Sequence, residues 1–593
     1  MHGLGVAATI CALLRASNVP TYERQARQAL LAAPHLVPRM PNQSPHTTRL
    51  AAAGTSPLLL SLAAAAWLVL LDNFGFWRTF MAARPGTAFQ QITAGMGVAL
   101  VLVLLFAAAL RPLLSHRLGT AVVALLLIAS GAIAHYVDGW GVLIDKNMVR
   151  NAIETDTREV RELVSWSALA DFAIRGLVPA LFLVFIRTRR SGIWRASKQT
   201  VGLAVAGLAV AALLLTTSYG TLATTFRNHR ELRLQLVPSN YINAVLGHFK
   251  GATSAPVTLT KVAPDAKLVP SPASRPRVLV LLVGETARAA NFSLGGYGRD
   301  TNRDLAQSGI TYFPRVTSCG TDTATSLPCM FSNIGADTFS VSQAQARENA
   351  LDVLQRAGVH VTWLENNSGC KGVCARVPTR APTPTPESAS LCSDSGCHDG
   401  ILVQSLKDEL RATGSDSLVV LHMMGSHGPS YFKRYPAPGR FTPTCDTNRI
   451  QQCSREALVN TYDNSIDYTS TVIRQVVDIA RNNADRLDIA VIYVSDHGES
   501  LGENNIYLHG LPPSLAPREQ KEVPMLGWLS PPAAKALKLA EGCLSAISQA
   551  QYSHDNLFHT LIGFHGVSTN AYKPALDLIA RARAAPGCSQ AAN

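Results

Sequence analysis

The chain has 593 residues, 47% of them hydrophobic and only 16% charged, with a formal net charge of +13. Soluble globular proteins carry about 25% charged residues, which excludes a plain cytosolic enzyme, and the apolar content excludes disorder. The basic excess lies in the apolar third: residues 1–219 hold 19 Lys and Arg against 9 Asp and Glu, whereas residues 220–593 hold 34 against 31. Such charge orients a chain in a membrane; it is not a nucleic-acid footprint.

Residues 1–50 read as a cytoplasmic extension, with Met40 as a candidate alternative start. Five stretches within residues 51–220 approach the ~20 residues that cross a bilayer: Pro57–Phe76, Ile92–Leu110, Leu118–Val137, Ala168–Ile186 and Val201–Tyr219. The fourth carries Asp171 and Arg175; charges in such a span face other helices or a wet cavity, but their i,i+4 spacing favours a pair within one helical turn. Arg15, Arg24, Arg27, Arg39 and Arg49 precede the first stretch, Arg111 and Arg117 link the second to the third, and "RTRRSGIWRASK" links the fourth to the fifth. The third connection instead holds six acids and four bases. Positive connections stay in the cytoplasm, so everything after Tyr219 is expected outside. Residues 221–275 read as an amphipathic bridging helix followed by a linker rich in Pro and Ser, and residues 276–593 as an outer domain.

Ten of the 11 cysteines lie between Cys319 and Cys588. The close pairs Cys319/Cys329, Cys370/Cys374, Cys392/Cys397 and Cys445/Cys453 point to disulfides in an oxidising compartment. Zinc clusters are the rival reading, but none of these pairs has the two-residue gap that such clusters favour. Cys543 and Cys588 are left to each other by elimination.

In the outer domain, continuous apolar runs end near Glu285, Asn366, Gly428 and Asp496. They predict central strands of a parallel sheet covered by helices on both faces, with the site beyond the carboxyl ends of the strands. Each run leads into polar, metal-capable residues: Glu285 in "VGETAR", His427 in "GSHGP", Asp496 and His497 in "VSDHGES", then His509 in "YLHG". Asp, Glu and His suit zinc. His422 lies within its strand and is set aside. The loop "TSCGTDTATSLPCMFS" offers Thr321, Thr323, Thr325 and Ser326 as nucleophiles that a metal would activate; residue type does not choose among them.

The motifs "VLVLLVGETARAANFSLGGYGRDT", "TSCGTDTATSLPCMFS", "GSHGPSYFKRYP", "NTYDNSIDYTS" and "YVSDHGESLGENNIYLHG" resemble the lipid A phosphoethanolamine transferases, a family that includes the mobile colistin resistance proteins. The resemblance spans about residues 50–565. It implies a five-helix transmembrane domain plus an α/β domain of the alkaline phosphatase and sulfatase superfamily, exposed to the periplasm from the bacterial inner membrane. No modified-cysteine signature of a sulfatase is present. By resemblance, Thr323 is the nucleophile, and Glu285, Thr323, Asp496 and His497 bind one tight zinc. His427 and His509 match histidines that bind substrate phosphate or a second zinc. Asn367, Lys371 and Glu499 match polar pocket residues. Asn151, Thr155 and Glu159 match the lipid-headgroup pocket, and their i,i+4,i+8 spacing predicts one helix face. The disulfide pattern is closer to the chromosomal enzymes than to the mobile ones. The implied reaction moves phosphoethanolamine from phosphatidylethanolamine through a modified Thr323 to a lipid A phosphate, in a monomer. The rivals are transfer of phosphoglycerol, or to another envelope glycan, and a non-catalytic sensor; a sensor would lack a metal ligand, and none is missing.

Overall fold

The computed structural model describes residues 54–588, apart from 84–86, 156, 190, 253–258, 271–274 and 394–395. The extension over 1–50, with Met40, lies outside the described residues.

The apolar third is helical. Helix α1 (Pro57–Ala66) runs through a π-helical turn, Trp67–Leu71, and meets α2 (Phe74–Ala82) at a bend of 58°. Asn73 marks the break: its amide donates to the Leu68 and Val237 carbonyls at 2.7 and 2.8 Å and accepts from Val237 N at 2.8 Å. Next come α3 (Ala88–Leu113) and α4 (Arg117–Trp140). The outer connection holds α5 (Lys146–Glu154) and α6 (Thr157–Leu163). The fourth stretch is α7 (Trp166–Asp171), a π-helical turn Phe172–Leu177, and α8 (Val178–Phe185). Helix α9 covers Ile193–Asn228. Among the described residues, four helices are long and apolar enough to cross a membrane, or five when the bent pair counts as one.

The charges of the fourth stretch do not pair within one turn, as their spacing predicted. Arg175 reaches Asp138 at 2.7 Å and Asp72 at 3.4 Å, while Asp171 meets His135 at 2.7 Å. Arg175 sits inside the π-helical turn Phe172–Leu177, and both charges are answered from other segments rather than by each other. Charged groups in an apolar layer take partners from neighbouring helices. Gly131 makes the adjacent crossing possible, because a Cβ there would stand 2.4 Å from Gly176 N.

The bridging helix expected over 221–250 is likewise corrected. Helix α9 passes Tyr219 and ends at Asn228, and a separate α10 covers Ser239–Ala252. Pro238, just before α10, has no N–H to continue a helical ladder. Residues 262–270, within the stretch read as linker, are stitched to the outer domain: Lys267 and Leu268 pair with Ser568 and Val567, and Arg356 donates to the Val262 and Ala263 carbonyls at 2.6 and 3.1 Å.

The outer domain is built on β1 (Arg277–Gly284), β2 (Thr311–Phe313), β3 (His360–Glu365), β4 (Thr379–Arg380), β5 (Ser417–His422), β6 (Asp488–Ser495) and β7 (Met525–Leu529). They form one sheet in the order β2-β7-β6-β1-β5-β3-β4. Strands β6, β1, β5, β3 and β4 are parallel; β7 and β2 add an antiparallel edge. All eight residues of β1 are buried. Leu279, Leu281 and Val283 pack into one core layer, and Val278, Val280 and Leu282 into the other. This explains why the run is apolar at every position: helices cover both faces. The register sets Ser495 opposite Gly284, and His422 opposite both Val283 and Glu365. The residues that follow β1, β6, β5 and β3 therefore emerge together at one edge.

Candidate active site

Glu285 leaves β1 and Asp496–His497 leave β6 at that edge. Thr323 opens α11 (Thr323–Met330), where the Asp322 carboxylate caps the helix by accepting from Thr325 N at 3.0 Å. The Cys319–Cys329 disulfide ties the loop to the helix. Packing now separates the four hydroxyls. Thr321 donates to the Leu511 carbonyl at 2.5 Å, Ser326 accepts from Gly320 N at 3.0 Å, and Thr325 accepts from Arg150 at 2.8 Å. Thr323 is the one that faces the acidic cluster, its Oγ1 3.2 Å from each Glu285 carboxylate oxygen and 3.3 Å from His497 Nε2.

His497 Nε2 lies 3.4 Å from Glu285 Oε1 and 3.4 Å from Asp496 Oδ2. Its Nδ1 lies 2.9 Å from the Gly498 carbonyl; that bond takes the N–H, so the neutral ring keeps its lone pair on Nε2. Asp496 Oδ2 is buried and accepts no hydrogen bond. Among the described residues, Glu285, Asp496 and His497 are the one group of three or more metal-capable side chains whose ligand atoms converge. Zinc bonds of about 2.0–2.1 Å in a tetrahedron set ligand atoms about 3.3 Å apart. The spacings from Thr323 to Glu285 and His497, and from His497 to Glu285 and Asp496, are 3.2–3.4 Å and match that edge, so the donor set fits zinc.

Charge balance agrees. Burial pushes the Asp496 carboxyl up, and the neighbouring Glu285 charge adds to it, to about 7. Burial disfavours a charged His497, but Asp496 and Glu285 outweigh it and raise the imidazole to about 10. Burial also acts against the Glu285 charge, yet His497 outweighs it and holds that carboxyl below its usual range. Protons here neutralise what a cation would neutralise.

Gly425, at φ 53°, lets the loop after β5 lie on the Glu285 backbone; a Cβ would meet the Glu285 carbonyl oxygen at 2.5 Å. That loop presents His427, whose ring centre is 5.5 Å from that of His509; His509 is 4.4 Å from His497. Glu499 is buried, with Oε1 3.4 Å from His509 Nδ1. Asn367 donates to Glu285 Oε2 at 2.7 Å and to the Met423 carbonyl at 2.9 Å, so it meets the metal-capable cluster itself. Lys371 adopts φ 48° between Gly369 and Gly372, inside the Cys370–Cys374 loop, and its Nζ is 3.4 Å from the Ser368 carbonyl and 3.5 Å from the Glu154 carbonyl. Strain of this kind in a non-glycine residue gathers at functional sites. Disulfides Cys392–Cys397, Cys445–Cys453 and Cys543–Cys588 complete the expected set.

The headgroup trio departs from its predicted geometry. Helix α5 stops at Glu154 and Thr155 is extended, so Asn151, Thr155 and Glu159 do not share one helix face. Thr155 instead donates to the Asn151 carbonyl at 2.6 Å; the side chain of Glu159 lies outside the described residues. Sequence reasoning missed Arg150, which reaches from α5 to Thr325 and stands 3.5 Å from Asp322 Oδ1. It also passed over His422, which is buried at the end of β5 with Nδ1 2.9 Å from Glu365. A lone Arg on an outer connection carries no local signal, because its partner lies in another domain.

The comparisons with known proteins fall on the same architecture. Residues 101–253 match the family Phosphoethanolamine transferase EptA/EptB and residues 277–567 match the Sulfatase family. Phosphoethanolamine transferase EptA of Escherichia coli (strain K12) is 37% identical over 532 residues, 88% of this chain and 96% of its own. The chain belongs to the phosphoethanolamine transferase family. A second member, Phosphatidylethanolamine transferase Mcr-1 of Escherichia coli, is 34% identical, covering 89% of this chain and 98% of its own. The solved integral membrane protein lipooligosaccharide phosphoethanolamine transferase A from Neisseria meningitidis superposes with a TM-score of 0.84 at 33% identity, over 90% of this chain and 99% of that one. This phosphoethanolamine transferase therefore shares the whole two-part architecture with its relatives: a transmembrane part and an alkaline-phosphatase-like part.

Proposed function

We propose that this transferase moves phosphoethanolamine from phosphatidylethanolamine to a phosphate of lipid A, as a five-span protein of the bacterial inner membrane with its catalytic domain in the periplasm. The observation that carries the reading is the Thr323 hydroxyl, held at 3.2–3.3 Å among Glu285 and His497 at the start of α11. The disulfides and the positive connections support a site on the outer side, where both lipids present phosphate.

Zinc, when held by Glu285, Thr323, Asp496 and His497, supplies Lewis acidity that lowers the hydroxyl pKa and offsets phosphoryl charge. Thr323 Oγ1 attacks the phosphorus of phosphatidylethanolamine, and the bond from phosphorus to the glycerol oxygen breaks. Diacylglycerol leaves with a proton, and Thr323 carries phosphoethanolamine as an ester. An oxygen of the lipid A phosphate then attacks that phosphorus, and Thr323 regains its proton. His427 and His509 serve as the proton donor and acceptor for these steps, with Lys371 and Glu499 binding the headgroup and phosphate. The free N–H groups that open α11 favour the phosphoryl oxygens. Asn151, Thr155 and Glu159 hold the donor lipid where it leaves the membrane. The product carries an added ammonium, which reduces the negative surface that polymyxin and other cationic peptides seek.

Expression in a polymyxin-sensitive Gram-negative host, with lipid A weighed by mass spectrometry, tests the proposal. A phosphoethanolamine increment on lipid A is expected, together with the same adduct on the peptide containing Thr323. An adduct confined to core sugar, or a phosphoglycerol adduct on Thr323, would overturn the acceptor or the donor respectively.

A further inference from the structure

The outer connection that carries Asn151 and Thr155 ends on the catalytic domain. Glu162, on α6, is 5% exposed, and its carboxylate pairs with the guanidinium of Arg434, itself 7% exposed. Lys433 Nζ stands 3.6 Å from the other carboxylate oxygen. Arg434 also donates through Nε to the carbonyl oxygen of His427 at 2.7 Å. A second loop grips the same helix end: Asn448, inside the Cys445–Cys453 loop, donates to the Glu162 carbonyl at 2.7 Å.

A buried ion pair is weak evidence for stability, because desolvation offsets most of its attraction. It is strong evidence for geometry when one partner is arginine, whose rigid planar fork links two acceptors at a set distance. Here one fork joins a carboxylate of the membrane part to the backbone of a residue at the reaction centre. The catalytic domain fixes the start of this loop, where Met424 N and Gly425 N each donate to Asp399 at 2.8 Å and Ser426 N donates to the Glu285 carbonyl at 3.0 Å; Arg434 adds the contact at His427 itself.

We propose that Glu162 is a positioning residue: through Arg434 it sets the backbone of His427, so that His427 stands correctly at the reacting phosphate when the outer connection is docked. This rests on the reading of His427 as a proton-transferring group. Docking of the membrane part and completion of the catalytic centre become one event, and lipid gathered by the outer connection meets a finished site.

The test uses the full-length protein in detergent micelles, with a fluorescent phosphatidylethanolamine as donor and release of labelled diacylglycerol as readout. The kcat and KM are measured for the wild type, Glu162→Gln, His427→Ala and the double variant. We expect Glu162→Gln to lower kcat about tenfold with KM within about twofold. In the His427→Ala background the same substitution costs nothing further, because the two act as a unit. A full additive loss in the double variant, or an unchanged kcat for Glu162→Gln, overturns the inference and leaves the transferase reading intact. Wild-type kcat retained by His427→Ala would overturn both the role of His427 and the inference. Charge reversal, Glu162→Arg with Arg434→Glu, guards against a variant that merely unfolds. It restores the ion pair and the melting temperature but not the N–H donated to His427, so kcat stays low. Recovery of kcat by the reversed pair would mean a clamp without positioning, and would overturn the inference.

Discussion

Asn367→Leu is the sharpest test of how the metal-capable cluster is held. Leucine keeps the size of the side chain and deletes its donors. The lost contact is the 2.7 Å bond from Asn367 Nδ2 to Glu285 Oε2. Hydrogen bonds to charged groups contribute about 1.5–3 kcal/mol, and about 1.4 kcal/mol is a factor of ten. The second hydrogen of the amide is spent on the Met423 carbonyl at 2.9 Å, a neutral contact that adds stability to the loop and little to the ligand. Orientation of Glu285 is therefore what the substitution removes, and zinc affinity is expected to fall about 10- to 100-fold, the range seen when partners of metal ligands are deleted. Competition against a fluorescent chelator reads the affinity directly. Activity at saturating zinc should return to near the wild-type kcat. If zinc affinity is unchanged and KM for the donor lipid rises instead, the reasoning is refuted, and Asn367 is a headgroup contact alone.

Three further predictions follow from the same geometry. Thr323→Ala should lower kcat by roughly a thousandfold or more and remove the phosphoethanolamine adduct from its peptide; turnover near the wild-type rate would exclude Thr323 as nucleophile. Arg150→Met deletes the 2.8 Å bond to Thr325 and the charge 3.5 Å from Asp322, at a cost of about 1.5 kcal/mol, so kcat/KM should fall about tenfold; an unchanged value would make Arg150 incidental. Two buried histidines should each make the catalytic domain more sensitive to acid. His554 uses both ring nitrogens when neutral, accepting from Cys319 N at 3.1 Å and facing the Ser495 carbonyl at 3.0 Å, and burial holds it down to about 4. Burial holds His559 down to about 4 as well. The unfolded chain binds these protons near pH 6.5 and the folded chain only near 4, so stability is full above about 6.5 and is lost as pH falls through that window. His554 alone accounts for on the order of 3 kcal/mol; Asp496 and Asp577, pushed up by burial to about 7 and about 6, act in the opposite direction over the same window, so the check is the wild type against His554→Gln, and an equal change in melting temperature for both between pH 6.5 and 4.5 would contradict this account.

Much of the site could be read before any fold was known, for a local reason. A strand buried on both faces must be apolar throughout, so the polar residue that ends it stands out, and β1, β5 and β6 each run into a loop that supplies one or more of Glu285, His427, Asp496 and His497. The cysteine pairs are close in sequence, and four of the five could be matched by spacing. Where the reading failed, it had trusted a local period over contacts from elsewhere or past a break. Asp171 and Arg175 are spaced for a local pair, but His135, Asp138 and Asp72 on other segments take them instead. Asn151, Thr155 and Glu159 share one only if α5 continues, and it stops at Glu154.

The sequence by itself determined the apolar spans, the charge that orients them, the buried strands and the kinds of residue at their ends, because hydrophobic periodicity and charge bias are properties of neighbouring residues. Only the tertiary structure decided which of four hydroxyls meets Glu285 and His497, which acids answer Arg175, and how Glu162 reaches His427 through Arg434. Those choices depend on contacts between segments far apart in the chain. There, distance and direction rather than residue type separate a partner from a bystander, and no local pattern encodes them.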